Sequence, residues 1–349
     1  LSMAYGGAKG NTAIQMAKAL SFELPEAEHH LAFRDLGNRL NLLGTNGKAE
    51  LSVANGVFQA KFYEKLLLES YRKLLQESYG SDIYSLDFAD AKGASEYINK
   101  WVLDRTNQRI RDLVSEQHIR GSNNGMVLVN AIFFKGKWQN QFDPKATRKD
   151  KFYISDMRIP ENSKPVDLMY RQGDYAYAEL AGFQILELPY EEEDLAMLVI
   201  LPDEKSATKP ELNPKNLRDW QSKLQTQEVK LYLPRFSFDL SLEGIPQMLK
   251  SMGMIDAFSD VTADFTGISK PGTADLYIMD ILHKAFVEVK EEGTEAAAAT
   301  AVIMATKAAM GPAPKIPVFR ADHPFIYMIM HKPSGSVLFM GKFAEPPKL

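Results

Sequence analysis

The chain has 349 residues, of which 45% are hydrophobic and 25% charged, and its formal net charge is −4. These proportions are ordinary for a globular protein, the charge argues against nucleic acid as the main partner, and no apolar run approaches the length of a membrane span. The absence of cysteine excludes disulfides, thiolate nucleophiles and cysteine-bound metals.

Helical spacing of apolar residues dominates the first third of the chain. Asn11 and Thr12 suit the start of a helix, and the same spacing predicts helices over Leu31–Leu43 and Tyr63–Leu75. The clearest pattern runs over Ser95–Val114, where apolar residues form one face and charged residues the other. We therefore expect this third to be largely helical.

Strand patterns dominate after Gly125. Met126–Phe134 and Leu195–Leu201 are nearly continuous apolar runs, typical of strands covered on both faces. The remaining predicted elements are an edge or bent hairpin of Val229–Leu233 and Phe236–Leu240 around Pro234, a helix over Leu242–Met252, a strand over Ala285–Val289, and a closing hairpin of Phe325–His331 and Val337–Phe343. Helices that precede strands indicate the α+β class. The length exceeds the usual size of one core, but no repeat or long linker divides the chain, so we expect a single domain over residues 1–349.

The segment from Glu291 to Pro314 combines conflicting local preferences. Ala296–Ala299 are strong helix formers, whereas Thr300, Val302 and Ile303 favour a strand. The segment is therefore either an alanine-rich surface helix or a stretch that can adopt two conformations.

Motifs of nucleotide-binding, metalloprotease and serine hydrolase sites are absent. None of the six histidines has a second histidine at helical i, i+4 spacing, so a metal site would need distant segments. Gly6–Thr12 has the wrong glycine-to-lysine spacing for a phosphate loop, and Glu191–Asp194 is typical of a solvated turn. We therefore predict no cofactor, no metal site and no catalytic residue.

Two polar residues stand within or beside apolar strands. Asn130 lies inside the run Val127–Phe134, where a buried amide must be hydrogen-bonded, and His283 directly precedes the alternating strand Ala285–Val289. They are either satisfied core groups or a polar latch between strands that must sometimes part.

Several motifs distributed along the whole chain resemble those of the serpins. The hinge signature of that family resembles His283–Val289 together with Glu291–Thr300, and its strand and tryptophan motif resembles Asn130–Trp138 followed by Phe142. Further matches are Asp256–Ser259, Ala263–Ser269, Asp322–Phe325 and Val337–Phe343. On these residues the chain is identified as a member of the serpin family.

The resemblance implies three β-sheets with eight or nine helices, a metastable native state and an exposed reactive-centre loop at about residues 291–316. It also implies a suicide mechanism, in which a protease forms an acyl-enzyme at the loop and the cleaved loop then enters the central sheet. The implied hinge residues are Glu292, Gly293, Thr294, Glu295, Ala296, Ala297, Ala298, Ala299 and Thr300. Asn130 and His283 match the family's polar shutter, and Trp138 matches the breach where insertion begins.

The loop sequence suits insertion. Alternate residues from Thr294 to Thr306 carry no charge, and the first of them are small, so one face of the new strand could be buried without burying a charge. By the family's usual spacing, the reactive bond is Lys307–Ala308, and a lysine there suits the acidic specificity pocket of a trypsin-like serine protease. The alternative bond, Met304–Ala305, would suit a chymotrypsin-like enzyme.

The chain also departs from the family pattern. The family's first helix and the serines that open its second helix are missing, and the stretch Ala308–Pro324 is longer than usual, with Pro312, Pro314 and Pro317. Charges over Lys61–Glu77 are too balanced to predict glycosaminoglycan binding. Because the chain begins at Leu1, we expect a processed or trimmed chain whose signal region is not visible.

From the family's habits we expect an extracellular, secreted monomer that inhibits a trypsin-like serine protease and does not act on nucleic acid or membranes. A non-inhibitory serpin acting as a carrier or chaperone is the first alternative. An enzyme is the second, and it lacks a recognisable nucleophile and base.

Overall fold

A computed structural model describes residues 1–43, 48–120, 125–154, 158–204, 210–270, 276–293 and 315–346. These residues form eight α-helices and thirteen β-strands, which confirms the α+β class. The helices are α1 (Ser2–Tyr5), α2 (Gly10–Ala19), α3 (Glu26–Leu42), α4 (Glu69–Tyr79), α5 (Ala91–Arg105), α6 (Glu116–Ile119), α7 (Pro214–Gln221) and α8 (Ile245–Ser251). The strands are β1 (Ala49–Ala60), β2 (Ile83–Leu86), β3 (Gly125–Gly136), β4 (Arg148–Tyr153), β5 (Ser163–Leu180), β6 (Phe183–Pro189), β7 (Leu195–Pro202), β8 (Gln225–Pro234), β9 (Phe236–Leu242), β10 (Tyr277–Val289), β11 (Val318–Arg320), β12 (Phe325–His331) and β13 (Ser336–Phe343).

The chain folds into two compact units, each assembled from separate segments. The first contains residues 1–45, 51–134 and 239–286, and the second contains residues 46–50, 135–238 and 287–349. Whether the two units fold together as the single domain expected for residues 1–349 stays a prediction.

A five-stranded sheet, ordered β2-β1-β3-β10-β9, lies mostly in the first unit. Its strands β3 and β10 are parallel and directly hydrogen-bonded, from Tyr277 beside Gly125 to Phe286 beside Phe133. Most residues of β3 are buried, as its continuous apolar run predicts. Two neighbouring parallel strands therefore occupy the middle of this sheet.

The second unit contains the other eight strands, joined through the long strand β5. Its first part pairs with β4 and β8, and its last residues pair with β6. Beyond β6 the order continues through β7 and β12 to β13, and β11 lies on the far side of β8. The described strands therefore form one sheet of five strands and one of eight, and β5 joins the two parts of the larger sheet.

Two predicted helices end earlier than their apolar spacing suggests. The helix expected over Ser95–Val114 stops at Arg105, because Asn107, Gln108 and Asp112 have φ angles of 48°, 62° and 52°, which a right-handed helix cannot accept. The helix expected over Tyr63–Leu75 is divided into a 3₁₀ helix (Lys61–Lys65) and α4. None of the described helices combines the length and the apolar character needed to span a bilayer.

The expected hairpin around Pro234 is wrong. Strand β8 pairs with β5, whereas β9 is the edge strand of the five-stranded sheet. Only Arg235 separates the two strands, too few residues for a hairpin turn. The closing hairpin is confirmed, since β12 and β13 pair antiparallel from Phe325 opposite Phe343 to His331 opposite Ser336.

Candidate functional site

The predicted site residues divide into two groups. Lys307, Ala308 and the hinge residues 294–300 lie outside the described residues. The described residues include Glu292, Gly293, Asn130, Trp138 and His283.

Asn130 and His283 contact each other across the two central strands. They are register partners on β3 and β10, and the His283 Nδ1–H donates to Asn130 Oδ1 at 2.5 Å. Asn130 Nδ2 in turn donates to Asn55 Oδ1 on β1 at 2.6 Å. This row of side chains, which we call the latch, links three neighbouring strands. Asn55 was not predicted because β1 was not predicted, although residues 49–60 include the β-branched Val53 and Val57 and the aromatic Phe58.

The electrostatics of the latch favour neutral histidine. Burial lowers the pKa of His283, because the protein interior solvates imidazolium poorly. The imidazole donates from Nδ1, which leaves Nε2 unprotonated in the neutral form. Parting β3 from β10 would break the hydrogen bond between His283 and Asn130.

The lowered pKa of His283 predicts a pH dependence. As the pH falls through about 6.5, His283 is protonated in the unfolded state before it is protonated in the folded state. The part of the free energy of unfolding that depends on neutral His283 is therefore present above that pH and lost below it. We expect the midpoint of thermal unfolding to fall more steeply between about pH 7.5 and about pH 5.5 in the wild type than in His283→Gln. Calorimetry at matched ionic strength measures both slopes, and the other histidines are common to both proteins. Equal slopes would contradict the assignment.

Trp138 anchors the chain that follows β10. Its ring is fully buried and stacks on Tyr190 at 4.5 Å between centroids. Its Nε1 donates to the carbonyl of Lys290 at 2.9 Å, and its backbone N–H donates to the carbonyl of Glu292 at 3.0 Å. Hydrogen bonds from Trp138 therefore hold residues 290–292 beside the chain that follows β3.

Glu291 is a buried carboxylate with two side-chain partners. It accepts a hydrogen bond from Thr147 Oγ1 at 2.6 Å and another from the guanidinium of Arg235. Burial alone would raise the pKa of Glu291, but these hydrogen bonds outweigh burial and hold that pKa below its ordinary value. Sequence reasoning missed Arg235, whose only signal was a lone charge after Pro234 between two strands.

Removing Arg235 should therefore destabilise the second unit. Breaking a buried ion pair costs about 3–5 kcal/mol, and because Arg235 is 39% exposed we expect Arg235→Met to cost about 2 kcal/mol, or about 4 °C in the midpoint of thermal unfolding. Lys164→Met is the matched control, since it breaks the exposed pair with Glu345 and should cost at most about 0.5 kcal/mol. Similar losses in the two variants would refute this role of Arg235.

Gly293 occupies a position that only glycine fits. Its φ is +127°, and an added Cβ would lie 2.2 Å from the carbonyl oxygen of Gly136 and 2.5 Å from Cα of Lys137. Gly293 forms antiparallel bridges on two sides, with Lys137 and with Lys290. Lys137 directly follows β3 and Lys290 directly follows β10. Gly293 is therefore bridged on one side to the residue that extends β3 and on the other side to the residue that extends β10.

This arrangement holds a segment of backbone in place. Within the described ranges, no three histidine, aspartate or glutamate side chains are grouped so that they could hold a metal ion. The described residues offer a latch between β3 and β10 and a hinge anchored by Trp138, Arg235 and Gly293.

Comparisons with known proteins identify the family. The family model described as serpin (serine protease inhibitor) matches residues 1–346. Serpin B6 of Macaca fascicularis is 38% identical over 356 residues, covering 99% of this chain and 90% of the relative. The leukocyte elastase inhibitor of Bos taurus is 38% identical over 358 residues, with the same coverage.

Solved structures agree with this result. Native protease nexin-1 crystallised with heparin matches with a TM-score of 0.84 at 27% identity, over 99% of this chain and 89% of that one. Human thyroxine-binding globulin matches with a TM-score of 0.86 at 27% identity and the same coverage. The chain therefore belongs to the serpin family of serine protease inhibitors and not to a family of enzymes.

Proposed function

We propose that this protein is an irreversible suicide-substrate inhibitor of trypsin-like serine proteases. One observation carries the proposal: Gly293 already bridges Lys137 and Lys290 in antiparallel fashion. The chain reverses at Glu291 and Glu292, because the N–H of Lys290 donates to the carbonyl of Gly293 and the N–H of Gly293 donates back. A strand that continued from Gly293 would run antiparallel to both β3 and β10.

Insertion of that strand is favoured by hydrogen bonding. It replaces the parallel pairing of β3 with β10 by two antiparallel pairings, which are slightly more stable per residue. Alternate residues of the loop carry no charge from Thr294 to Thr306, so one face of the strand can be buried. The hydrogen bond between His283 and Asn130 must break first, which makes the latch a barrier against premature insertion.

The chemistry belongs to the protease. Its serine hydroxyl attacks the carbonyl carbon of Lys307, the Lys307–Ala308 bond breaks, and an ester to Lys307 forms. The serine proton passes through the protease's base to the departing amine of Ala308. Insertion of the freed loop before water hydrolyses the ester leaves the protease covalently attached.

A second reactive bond deserves a test because one relative is named leukocyte elastase inhibitor. The alternative to Lys307–Ala308 is Met304–Ala305, which would suit the larger apolar pocket of a chymotrypsin-like enzyme. Mass spectrometry of the fragment released by trypsin and by chymotrypsin distinguishes the two bonds, because its first residue is Ala308 or Ala305.

The decisive experiment incubates the protein with trypsin and separates the products on denaturing gels. We expect a band at the summed mass that survives SDS and boiling, together with a released fragment that begins at Ala308. Clean cleavage without a stable band, repeated with every trypsin-like enzyme tried, would overturn the proposal.

A carrier is the second candidate, and a pocket favours it. About 360 Å³ of space lies between α7, β12 and β13, lined by Leu217, Met328 and Met340 among others. Thyroxine-binding globulin, whose name states a ligand, is among the structural matches. Thr294→Arg separates the candidates, since it would block insertion and abolish the protease complex but leave a carrier's function intact.

Location and other partners also remain proposals. We propose secretion, which fractionation of expressing cells would test, and a monomeric state, which light scattering would test. No glycosaminoglycan binding is proposed, because Arg72 pairs with Asp82 at 2.9 Å and Lys73 with Glu77 at 3.6 Å, so these cations already face carboxylates.

A further inference from the structure

A pocket of about 290 Å³ lies in the second unit beside the hinge anchor Arg235. Pro165, Val166 and Phe236 supply an apolar wall. The charged residues that line the pocket are Lys149, Asp167, Arg235, Glu288 and Lys290. Apolar surface and charge thus meet in a space of small-molecule size.

Two of these cations can still form hydrogen bonds or ion pairs with a ligand. The guanidinium of Arg235 donates to Glu291 through Nη2, and its Nη1 forms an ion pair with Asp167 Oδ2 at 3.9 Å, which is too long for a hydrogen bond and leaves the Nη1 N–H groups able to donate. Lys149 is exposed on β4 and has no carboxylate partner among the described residues. The third cation, Lys290, is paired with Glu288 at 2.7 Å. An incoming anion would therefore meet Arg235 Nη1 and Lys149 first.

We propose that this pocket binds a small organic anion with an apolar body, such as an aromatic carboxylate, and that the bound anion holds Arg235 against Glu291, the residue directly before the hinge. A guanidinium has five N–H donors, so Arg235 can serve the ligand and Glu291 together. The apolar body of the ligand packs on Phe236 and Val166. An occupied pocket keeps residues 290–293 in the position from which the inserted strand continues, and so speeds insertion of the cleaved loop. This regulatory consequence rests on the proposed inhibitory function, whereas binding does not.

Calorimetric titration with 2-naphthoate tests the binding in the absence of protease. The neutral amide, 2-naphthamide, should bind about tenfold more weakly, because it cannot form charge-assisted hydrogen bonds. Lys149→Gln should weaken naphthoate binding about fivefold. Lys151→Gln is the matched control, since Lys151 is exposed on the same strand but does not line the pocket. The Lys151→Gln variant should bind 2-naphthoate with the same affinity as the wild type.

The outcomes separate binding from inhibition. Equal affinities for naphthoate and naphthamide, or equal losses of affinity in the two lysine variants, would overturn the site.

With trypsin as target, saturating naphthoate should speed formation of the SDS-stable complex about fivefold, and Lys149→Gln should need more naphthoate for the same effect. An unchanged rate at saturation would overturn the effect on the hinge. If trypsin forms no stable complex even without naphthoate, the proposed function fails, and the titration alone decides the site.

Discussion

Replacing Lys307 by glutamate should abolish the SDS-stable complex with trypsin. A lysine ammonium matches the acidic specificity pocket of a trypsin-like protease, whereas a carboxylate there would be buried beside a like charge. We expect the second-order rate constant of complex formation to fall by about a thousandfold or more. Residual trypsin activity, measured over time at several inhibitor concentrations, gives this rate constant.

Two variants control the prediction for Lys307. Lys307→Arg keeps the cation and should retain most of the rate, because Arg also suits the acidic pocket. Lys315→Glu makes the same charge change at an exposed residue beyond the predicted bond, and should leave the rate nearly unchanged. If Lys307→Glu formed the protease complex at the full rate and Met304→Glu did not form it, the reactive bond would be assigned to Met304–Ala305.

Replacing Gly293 by alanine should release the hinge from its bridge to Lys137. The added Cβ would meet backbone atoms of Gly136 and Lys137, which cannot move as a flexible side chain can, and a φ of +127° disfavours any residue except glycine. We expect a loss of about 3 kcal/mol, or about 6 °C in the midpoint of thermal unfolding. Differential scanning calorimetry measures the midpoint, and cleavage at Lys290 by a lysine-specific protease should become faster because the turn is no longer held.

Gly335→Ala is the matched control for Gly293→Ala. Its φ is +67°, and no heavy atom lies within 4 Å of its added Cβ, so only the backbone cost of about 1 kcal/mol applies. If both variants lost the same stability, the close approach of Gly293 to Gly136 would have no energetic role.

Local patterns predicted the elements whose neighbours are near in sequence or whose burial is uniform. The apolar run of β3 and the closing hairpin β12–β13 needed no knowledge of distant residues. Prediction failed where distant contacts outweigh periodicity. Ile110, Leu113 and Val114 have helical spacing and are buried, yet the chain around them is irregular because left-handed residues interrupt it.

The candidate site shows the same division. Asn130 and His283 were singled out because polar groups within or beside apolar strands need partners, and they are each other's partners. Arg235 was missed because nothing local distinguishes it from a surface arginine. Its role depends on Glu291, which is 56 residues away in the chain.

The sequence by itself determined the family, the α+β class, the uncharged alternate residues of the loop and the lysine proposed to enter the protease's specificity pocket. All of these depend on residue type and local spacing. The tertiary structure alone decided that β8 and β9 enter different sheets, that Asn55 extends the latch, and that Arg235 and Trp138 hold the hinge. These features arise from contacts between residues far apart in the chain. Their energies depend on burial and geometry, and no local pattern encodes either.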